Sequence, residues 1–305
     1  MIRKYLSFIS LILLFFACKS NASYELQVMS FNIWMGGGSS IENTAEVIVR
    51  SGAHIVGIQE AGRKGSNTAV AIADSLGWYS HVTNGSCVIL SKYPIVGSSP
   101  SGKGVKIETG KDQYVWMFNI HLIYCPYEPY QLNGIEYCGG PLLTTSEEAV
   151  ESAWHSRGEE VMTVIAEIKE VQKENVPIFL TGDFNEPSWL DWTADAVAAN
   201  LCKLVVEWPA TKALQQQADM RDSYRTLYPD EVKNPGHTWT TLPETQQYTE
   251  VLDRIDFVFY WGKDVTLYKS QIIGEMGAFS DISITDYPSD HRAVLSTFSI
   301  RSKQG

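Results

Sequence analysis

Six apolar, strand-like segments of the sequence end in a carboxylate, an amide or an imidazole. The polar residues at these ends are Asn32, Glu60, His121, Asp183 with Asn185, Asp256, and Asp290 with His291. Any one of them alone would be read as a turn residue or as a satisfied hydrogen-bonding group. Together they would supply oxygen ligands for a hard cation and side chains that can move protons.

This selection of residue types suits the hydrolysis of a phosphoester. Mg²⁺ takes oxygen ligands and needs only one or two carboxylates beside water and a substrate phosphate. Histidine titrates near neutral pH and can transfer protons or stabilise developing charge. Cleavage at phosphorus requires an activated water, charge neutralisation and a stabilised leaving group. The sequence has no C-x-x-C or H-E-x-x-H motif, so it does not predict a zinc site.

The elements that would position these residues are short strands and helices in mixed order. Runs rich in Val, Ile and Phe predict strands at Leu26–Ile33, His54–Gln59, Ser86–Leu90, Val115–Ile123, Pro177–Thr181, Arg254–Tyr260 and Ala293–Ile300. Helical periodicity predicts Asn43–Ser51, Thr68–Leu76 and Glu147–Glu174. No repeat or linker divides residues 23–305, so we expect one domain, an α/β or α+β sandwich.

The motifs at the strand ends resemble those of a known superfamily. Ser-Phe-Asn32, Gln-Glu60, Asn-Ile-His121, Gly-Asp183-Phe-Asn185, Arg-Ile-Asp256-Phe and Ser-Asp290-His291 follow the order and rough spacing of the endonuclease/exonuclease/phosphatase superfamily. The resemblance covers nearly all of the chain after residue 22. It implies a DNase I-like α+β fold, a four-layer α/β/β/α sandwich of two packed mixed β-sheets.

The resemblance also implies a metal-dependent hydrolase, with Mg²⁺ or Mn²⁺ as cofactor. Glu60 is similar to the principal metal ligand of the superfamily. Asn32 and Asp290 are similar to the residues that complete its site, directly or through water.

The other shared residues imply catalytic roles. His291 resembles the catalytic base, oriented by Asp256. Asp183 is similar to the residue that positions or deprotonates the attacking water, a role that the superfamily leaves open between it and the histidine. His121 and Asn185 resemble phosphate ligands that stabilise the transition state.

Two further residues are substrate-binding candidates on weaker grounds. Arg157 lies near the place where an arginine contacts phosphate in some relatives, although it could equally face solvent. Trp239, in Gly236-His-Thr-Trp239, could stack on a substrate ring.

Residues 124–146 interrupt the periodic pattern with a loop rich in Tyr and Pro. Cys125 and Cys138 flank its first part, and we predict that they form a disulfide. Long loops of this kind are often functional, and this one could shape substrate choice or simply staple the surface. Cys87, inside an apolar strand-like run, is predicted to be a buried thiol.

The first 22 residues resemble an export signal. Arg3 and Lys4 precede an apolar run from Leu6 to Ala17, which is shorter than the ~20 residues of a membrane-spanning helix. Phe15-Phe16-Ala17-Cys18 resembles a bacterial lipobox, which would place a lipid on Cys18. Cleavage after Ala22 is the alternative. We expect a periplasmic or outer-membrane-tethered lipoprotein, or a secreted protein, that contacts the membrane only through such a lipid.

Composition limits the substrate. The formal net charge is −11, and removal of Arg3 and Lys4 would make it two units more negative. Such a chain has no general attraction to nucleic acid. We therefore favour a small-molecule or lipid-linked phosphoester as the substrate. We also expect the protein to be a monomer. A secreted nuclease is the alternative, and a non-catalytic binding protein on the same scaffold is the least favoured.

Overall fold

β-Branched and aromatic runs form two sheets in the computed structural model, which describes residues 23–63, 65–242 and 249–302. The strands are β1 (Ser23–Asn32), β2 (Ile55–Gln59), β3 (Gly62–Arg63), β4 (Ser66–Asn67), β5 (Tyr79–Asn84), β6 (Cys87–Ser91), β7 (Ile95–Ser98), β8 (Gly104–Gly110), β9 (Gln113–His121), β10 (Ile178–Asp183), β11 (Arg221–Asp222), β12 (Asp256–Trp261), β13 (Val265–Gly274), β14 (Ile282–Ser283) and β15 (Ala293–Arg301).

Side-chain caps fix where the principal helices begin. The Ser40 side chain accepts a hydrogen bond from the Asn43 backbone at the start of the second helix. Thr145 and Glu148 cap each other reciprocally at the start of the longest one. The helices are α1 (Trp34–Gly37), α2 (Ile41–Ser51), α3 (Thr68–Leu76), α4 (Glu128–Leu132), α5 (Ser146–Val171), α6 (Ala194–Ala198), α7 (Pro209–Ala218) and α8 (Ser223–Leu227).

The strands form two mixed sheets. The first has the order β14-β13-β15-β1-β2-β6-β5, and the second has the order β11-β12-β10-β9-β8-β7. In the first sheet β1 runs parallel to β2 and antiparallel to β15. In the second β10 runs parallel to β9 and antiparallel to β12. Strands β3 and β4 form a separate short hairpin.

Three apolar cores lie between the layers and hold them together. One core joins α2 and α3 to the first sheet through residues such as Val47, Ile72 and Phe31. A second joins α5 and α7 to the second sheet, and the third fills the space between the sheets. The predicted four-layer α/β/β/α sandwich is therefore confirmed.

The predicted elements agree with the structure apart from details at their ends. The helix expected at Glu147–Glu174 is α5 followed by a single 3-10 turn, Gln172–Glu174. The segment 124–146 was predicted to lack regular structure, and this was wrong, because α4 lies within it. The proposed signal in residues 1–22 lies outside the described residues. Within the described ranges, no helix has the length and apolarity needed to cross a membrane.

Candidate active site

The ends of strands from both sheets meet at one edge of the sandwich. Asn32 is the last residue of β1 and Glu60 follows β2 in the first sheet. In the second sheet His121 and Asp183 are the last residues of β9 and β10. Asp256 is the first residue of β12, and the strand register pairs Asp183 with His121 on one side and with Asp256 on the other.

Asp183 is the centre of this arrangement. Its Oδ2 accepts a hydrogen bond from Asn32 Nδ2 at 2.9 Å. The same oxygen lies 3.4 Å from His121 Nε2 and 3.7 Å from His291 Nε2. Its Oδ1 accepts a hydrogen bond of 2.8 Å from the backbone N–H of Asn185. Both carboxylate oxygens are thus held in place, and the side chain is 1% exposed.

His291 lies between two carboxylates. Its Nδ1 is 3.0 Å from Asp256 Oδ2, which leaves Nε2 on the side of Asp183. Burial would lower the pKa of His291, but Asp256 and Asp183 outweigh burial and raise this pKa to about 10. Burial would raise the pKa of Asp183, but the two histidines lower it to about 2. At neutral pH these groups form an imidazolium and a carboxylate.

A second set of acidic oxygens lies beside this ion pair. Glu60 Oε1 accepts a hydrogen bond from Asn32 Nδ2 at 3.2 Å, and Glu60 Oε2 accepts one from the Met35 backbone at 2.7 Å. Asp290 Oδ1 is buried without a hydrogen-bond partner among the described residues. Burial raises the pKa of Asp290 to about 6, and the Glu60 carboxylate adds to the rise while His291 opposes it. A hard divalent cation fits this oxygen set, because it would satisfy the orphaned carboxylate.

Another potential ligand set shares the ion-pair residues. One ligand atom from each of Asp183, Asp256 and His291 lies within 4.8 Å of the others. The Nδ1 of His291 is already engaged by Asp256. A metal held by all three would therefore compete for groups that the hydrogen-bond network uses, whereas Asp290 Oδ1 has no hydrogen-bond partner among the described residues.

Several residues around the candidate metal site have a positive φ, a backbone conformation that residues other than glycine seldom adopt. Glu60 has φ of 58° and Asn185 has φ of 46°, while Trp34 and Met35 in α1 have φ of 51° and 49°. The Gly36 backbone N–H donates to the Glu60 carbonyl at 2.7 Å. Such conformations persist only where their surroundings enforce them, and they concentrate at functional sites.

A cavity of about 410 Å³ opens beside these groups. Its wall combines the acids and the histidine with aromatic side chains, most of them from the segment between β9 and α5. The lining residues are Trp34, Met35, Glu60, Tyr124, Tyr127, Tyr130, Tyr137, Asp183, Asn185, Trp239, Ile255, Asp290 and His291.

The expectation that Arg157 contacts a substrate phosphate requires correction. This residue is 1% exposed and is not among those that line the cavity. Its Nε donates to the Ile123 carbonyl at 3.1 Å, one terminal nitrogen donates to Glu128 at 2.8 Å, and the other donates to the Pro126 carbonyl. Arg157 therefore holds the beginning of the aromatic segment in place.

Trp239, the other substrate-binding candidate from the sequence, lines the cavity. Its ring centroid is 4.8 Å from that of His291, and its Nε1 donates to Tyr130 Oη at 3.2 Å. Stacking of this ring on a substrate remains a prediction.

The cysteine predictions are confirmed. Cys125 and Cys138 form a disulfide with a Cα–Cα distance of 6.0 Å. Cys87 is buried and forms no disulfide.

Two acids that organise the aromatic segment were missed by sequence reasoning. Asp253 is buried and accepts hydrogen bonds of 2.8 Å from Tyr127 Oη and from Trp192 Nε1. Glu128 is buried against Arg157 and accepts a bond from Ser152 Oγ at 2.8 Å. No motif marks either residue, because Glu128 stands between Tyr127 and Pro129 in a run typical of loops, and Asp253 precedes the Arg-Ile-Asp256-Phe motif without being part of it.

The chain belongs to the endonuclease/exonuclease/phosphatase family, whose sequence profile matches residues 29–291. Members of this family are typically phosphoesterases or nucleases and generally depend on a divalent metal. An uncharacterized protein of Caenorhabditis elegans is 32% identical over 320 residues, covering 94% of this chain and 97% of that protein.

Solved structures share the fold. An endonuclease/exonuclease/phosphatase from Beutenbergia cavernae has a TM-score of 0.56 at 18% identity, covering 90% of this chain and 72% of that chain. The catalytic domain of human nocturnin has a TM-score of 0.53 at 15% identity, covering 90% and 94%. TDP2 from Caenorhabditis elegans gives 0.53 at 18% identity, covering 90% and 74%.

Proposed function

We propose that this protein is an exported, Mg²⁺- or Mn²⁺-dependent phosphoesterase that hydrolyses a small-molecule or lipid-linked phosphomonoester or phosphodiester. One observation carries the proposal. Asn32, His121 and His291 converge on a single oxygen of Asp183. The unsatisfied Asp290 carboxylate next to Glu60 supports the metal dependence.

Glu60 and Asp290 would hold the metal, with Asn32 directly or through water. The metal would supply Lewis acidity that polarises a phosphoryl oxygen and neutralises its charge. Asn32 also donates to both Glu60 and Asp183, so it ties the metal ligands to the catalytic carboxylate.

The protein's own groups would carry the proton steps. The Asp183 carboxylate accepts a hydrogen bond from the attacking water and aims it at phosphorus. The water oxygen forms the new bond to phosphorus while Asp183 accepts the water's proton, and the bond to the ester oxygen breaks as His291 gives a proton to the departing oxygen. The proton on Asp183 can then return to His291, whose Nε2 lies 3.7 Å away. The resemblance gives His291 as the base, but Asp256 and Asp183 hold it as an imidazolium, so it would instead act as the donor of a hydrogen bond or a proton.

His121 and Asn185 would bind the phosphate itself. Asp183 raises the pKa of His121 against the opposing effect of burial, which favours an imidazolium that can donate to a phosphoryl oxygen. The Asn185 amide uses one hydrogen in a bond of 3.0 Å to the Leu122 carbonyl and retains a second donor. Both residues would stabilise charge that develops on the phosphoryl oxygens.

The cavity wall favours a compact substrate over a nucleic acid. No lysine or arginine occurs among the described residues that line it, while Glu60, Asp183 and Asp290 do. Nucleic-acid binding relies on Lys and Arg that neutralise successive phosphates. The tyrosines and tryptophans offer flat, amphipathic surface that suits a sugar or a lipid headgroup.

Export agrees with the disulfide, which is a bond of oxidising compartments. We propose a monomer that is anchored, if at all, by a lipid on Cys18.

The test is a hydrolysis screen of the purified protein with Mg²⁺ and with Mn²⁺. The panel contains phosphomonoesters, bis(p-nitrophenyl) phosphate, sphingomyelin, plasmid DNA and RNA, with the Glu60→Gln variant as control. We expect turnover of a small or lipid ester by the wild type and little by the variant. Preferred cleavage of DNA or RNA would make the protein a nuclease, and no turnover of any ester would leave a binding protein.

A further inference from the structure

Three buried polar side chains join the two sheets next to the candidate active site. Gln59 ends β2 in the first sheet, while Asn119 and Thr181 lie on β9 and β10 in the second. All three are fully buried. Gln59 Nε2 donates to Asn119 Oδ1 at 2.6 Å, and Thr181 Oγ1 lies 3.0 Å from the same oxygen, closer than to its other acceptor, the Phe118 carbonyl at 3.3 Å. We call Gln59, Asn119 and Thr181 the sheet junction.

The Asn119 amide is fixed in its orientation. Its Nδ2 donates to the Ile58 carbonyl at 2.8 Å and to the Val88 carbonyl at 3.2 Å, on β2 and β6 of the first sheet. A carbonyl only accepts, so the amide nitrogen must face these two groups and the amide oxygen must face Gln59 and Thr181. One side chain of the second sheet is thus tied to two strands of the first.

The two sheets approach closely at the junction. A Cβ atom on Gly57 of β2 would lie 1.9 Å from Thr181 Oγ1 and 2.5 Å from Asn119 Oδ1, far inside van der Waals contact. Glycine is required at this point of β2, because it lets polar groups of the second sheet reach the backbone of the first. Close packing of this kind resists sliding of one sheet against the other.

Stability alone does not account for a glutamine in the junction. The Oε1 atom of Gln59 is buried and has no hydrogen-bond partner among the described residues. A buried and unpaired acceptor costs about 1–3 kcal/mol, which an apolar side chain of the same shape would not. The contribution of Gln59 therefore lies in the geometry that its short bond to Asn119 imposes.

The strand register of the second sheet places catalytic candidates beside the junction. Asn119 pairs with Thr181, and two residues further along the same strands His121 pairs with Asp183. Side chains two residues apart on a strand lie on the same face. The junction pair is therefore the immediate neighbour of the His121 and Asp183 pair.

The first sheet carries the candidate metal ligands. Gln59 pairs with Asn32 in the strand register and is followed directly by Glu60. Asp290 lies shortly before β15 of the same sheet. The metal ligands thus belong to one sheet and the Asp183 carboxylate belongs to the other.

We propose that the sheet junction is a positioning element that sets the separation between the metal ligands and the Asp183 carboxylate. The inference rests on the proposed function, in which the metal and Asp183 act on the same phosphate. Asn32 spans the two halves, because its Nδ2 donates to Glu60 at 3.2 Å and to Asp183 at 2.9 Å. A change in the separation would therefore break one of these bonds.

The first test replaces Gln59 with methionine, which has a similar length and no amide. The change removes the bond to Asn119 together with the unpaired oxygen, so the melting temperature should stay close to that of the wild type. A misplacement of about 1 Å can cost about 10²-fold in rate, and we expect kcat to fall by about ten- to a hundred-fold. Mn²⁺ affinity, measured by titration calorimetry, should be unchanged, because the metal ligands all lie on one sheet.

Thr181 offers a matched pair of variants. Thr181→Val keeps the shape and removes the hydroxyl, whereas Thr181→Ser keeps the hydroxyl. The valine variant should lose kcat and the serine variant should retain it. Ser270→Ala is the control, since Ser270 is a fully buried hydroxyl bonded to Ser223 and Ser296 and does not line the cavity. It should leave kcat unchanged.

Crystal structures of Gln59→Met and Thr181→Val measure the geometry without any reaction. We expect the separation of the Glu60 and Asp183 carboxylates to change, with loss of one of the two Asn32 bonds. An unchanged separation in both variants, or a loss of kcat that Ser270→Ala shares, would overturn the inference. If the wild-type protein hydrolyses no ester, the proposed function fails, and the carboxylate separation in the two variants still decides whether the junction positions these groups.

Discussion

Replacement of Asp183 by asparagine should nearly abolish hydrolysis without unfolding the protein. Asparagine matches aspartate in shape, so the bond from the Asn185 backbone to Oδ1 can persist. The change removes the negative charge and turns one acceptor oxygen into a donor nitrogen. The attacking water then loses its acceptor, and His291 loses one of the two carboxylates that hold it as an imidazolium.

The size of the effect follows from the role of a positioned acid or base, whose loss costs about 10²–10⁴-fold in rate. The Asp183–His291 separation is 3.7 Å, and at an effective dielectric constant of about 20 such a pair attracts by about 4 kcal/mol. This attraction exists before the reaction begins, so it keeps His291 protonated and does not itself convert into a rate factor. We therefore expect kcat to fall about a thousand-fold, in the middle of that range.

The assay is steady-state hydrolysis of the best ester from the screen at saturating Mg²⁺. Thermal unfolding confirms that the variant is folded, and Asp74→Asn, an exposed acid on α3, is the control for the same chemical change. An NMR titration of His121 adds a second readout. Asp183 raises the pKa of His121, so this pKa should be lower in the variant than in the wild type. A folded Asp183→Asn protein with kcat within ten-fold of wild type would refute the assignment.

Three further predictions concern stability. Arg157→Met should lower the free energy of unfolding in urea by about 3–5 kcal/mol, because it leaves Glu128 buried and unpaired. If the ion pair is the cause, the same substitution should cost less in a Glu128→Gln protein, and an equal loss there would contradict this explanation. Joint replacement of Cys125 and Cys138 by serine should cost about 3 kcal/mol in the chain-entropy model, and wild-type stability in the double mutant would exclude a bracing disulfide. Burial raises the pKa of Glu186 from 4.5 to about 8, so its contribution to stability is complete below pH 4.5 and is lost as pH rises through about 8. The melting temperature of Glu186→Gln should therefore gain on wild type over that interval, and parallel pH profiles would show that Glu186 is ionised in the folded state.

The sequence revealed the residues at strand ends because a local pattern marks each of them. An apolar run that stops at Asn32, Glu60 or Asp183 places a polar group at a sheet edge, whatever the rest of the chain does. The resemblance of these motifs to a known superfamily then implied the four-layer sandwich, and the structure confirms that fold. Strand pairing alone brings His121 and Asp256 to either side of Asp183.

Residues that act through long-range contacts could not be assigned in this way. Arg157 looked like a candidate phosphate ligand because its helix follows the aromatic segment. Its role depends on Glu128, 29 positions earlier, and on two carbonyls beside it. Asp253 accepts a hydrogen bond from Tyr127, which lies 126 positions earlier in the chain. Such pairings depend on how α5 and β12 pack, which no local periodicity encodes.

The short helix α4 was missed for a related reason. It is only five residues long, and Pro129 lies near its start. All five of its residues are buried. Its packing and the adjacent disulfide stabilise it, whereas an isolated helix of this length would not form.

The most direct test of the account is the metal dependence of hydrolysis. The wild-type protein is treated exhaustively with EDTA, and the EDTA is then removed. This protein should hydrolyse bis(p-nitrophenyl) phosphate at no more than the background rate, and added Mg²⁺ or Mn²⁺ should restore activity. Glu60→Gln should need much more metal for half-maximal rate, because it removes a charged ligand beside Asp290. Full activity after chelation, or an unchanged metal requirement in Glu60→Gln, would contradict the central claim.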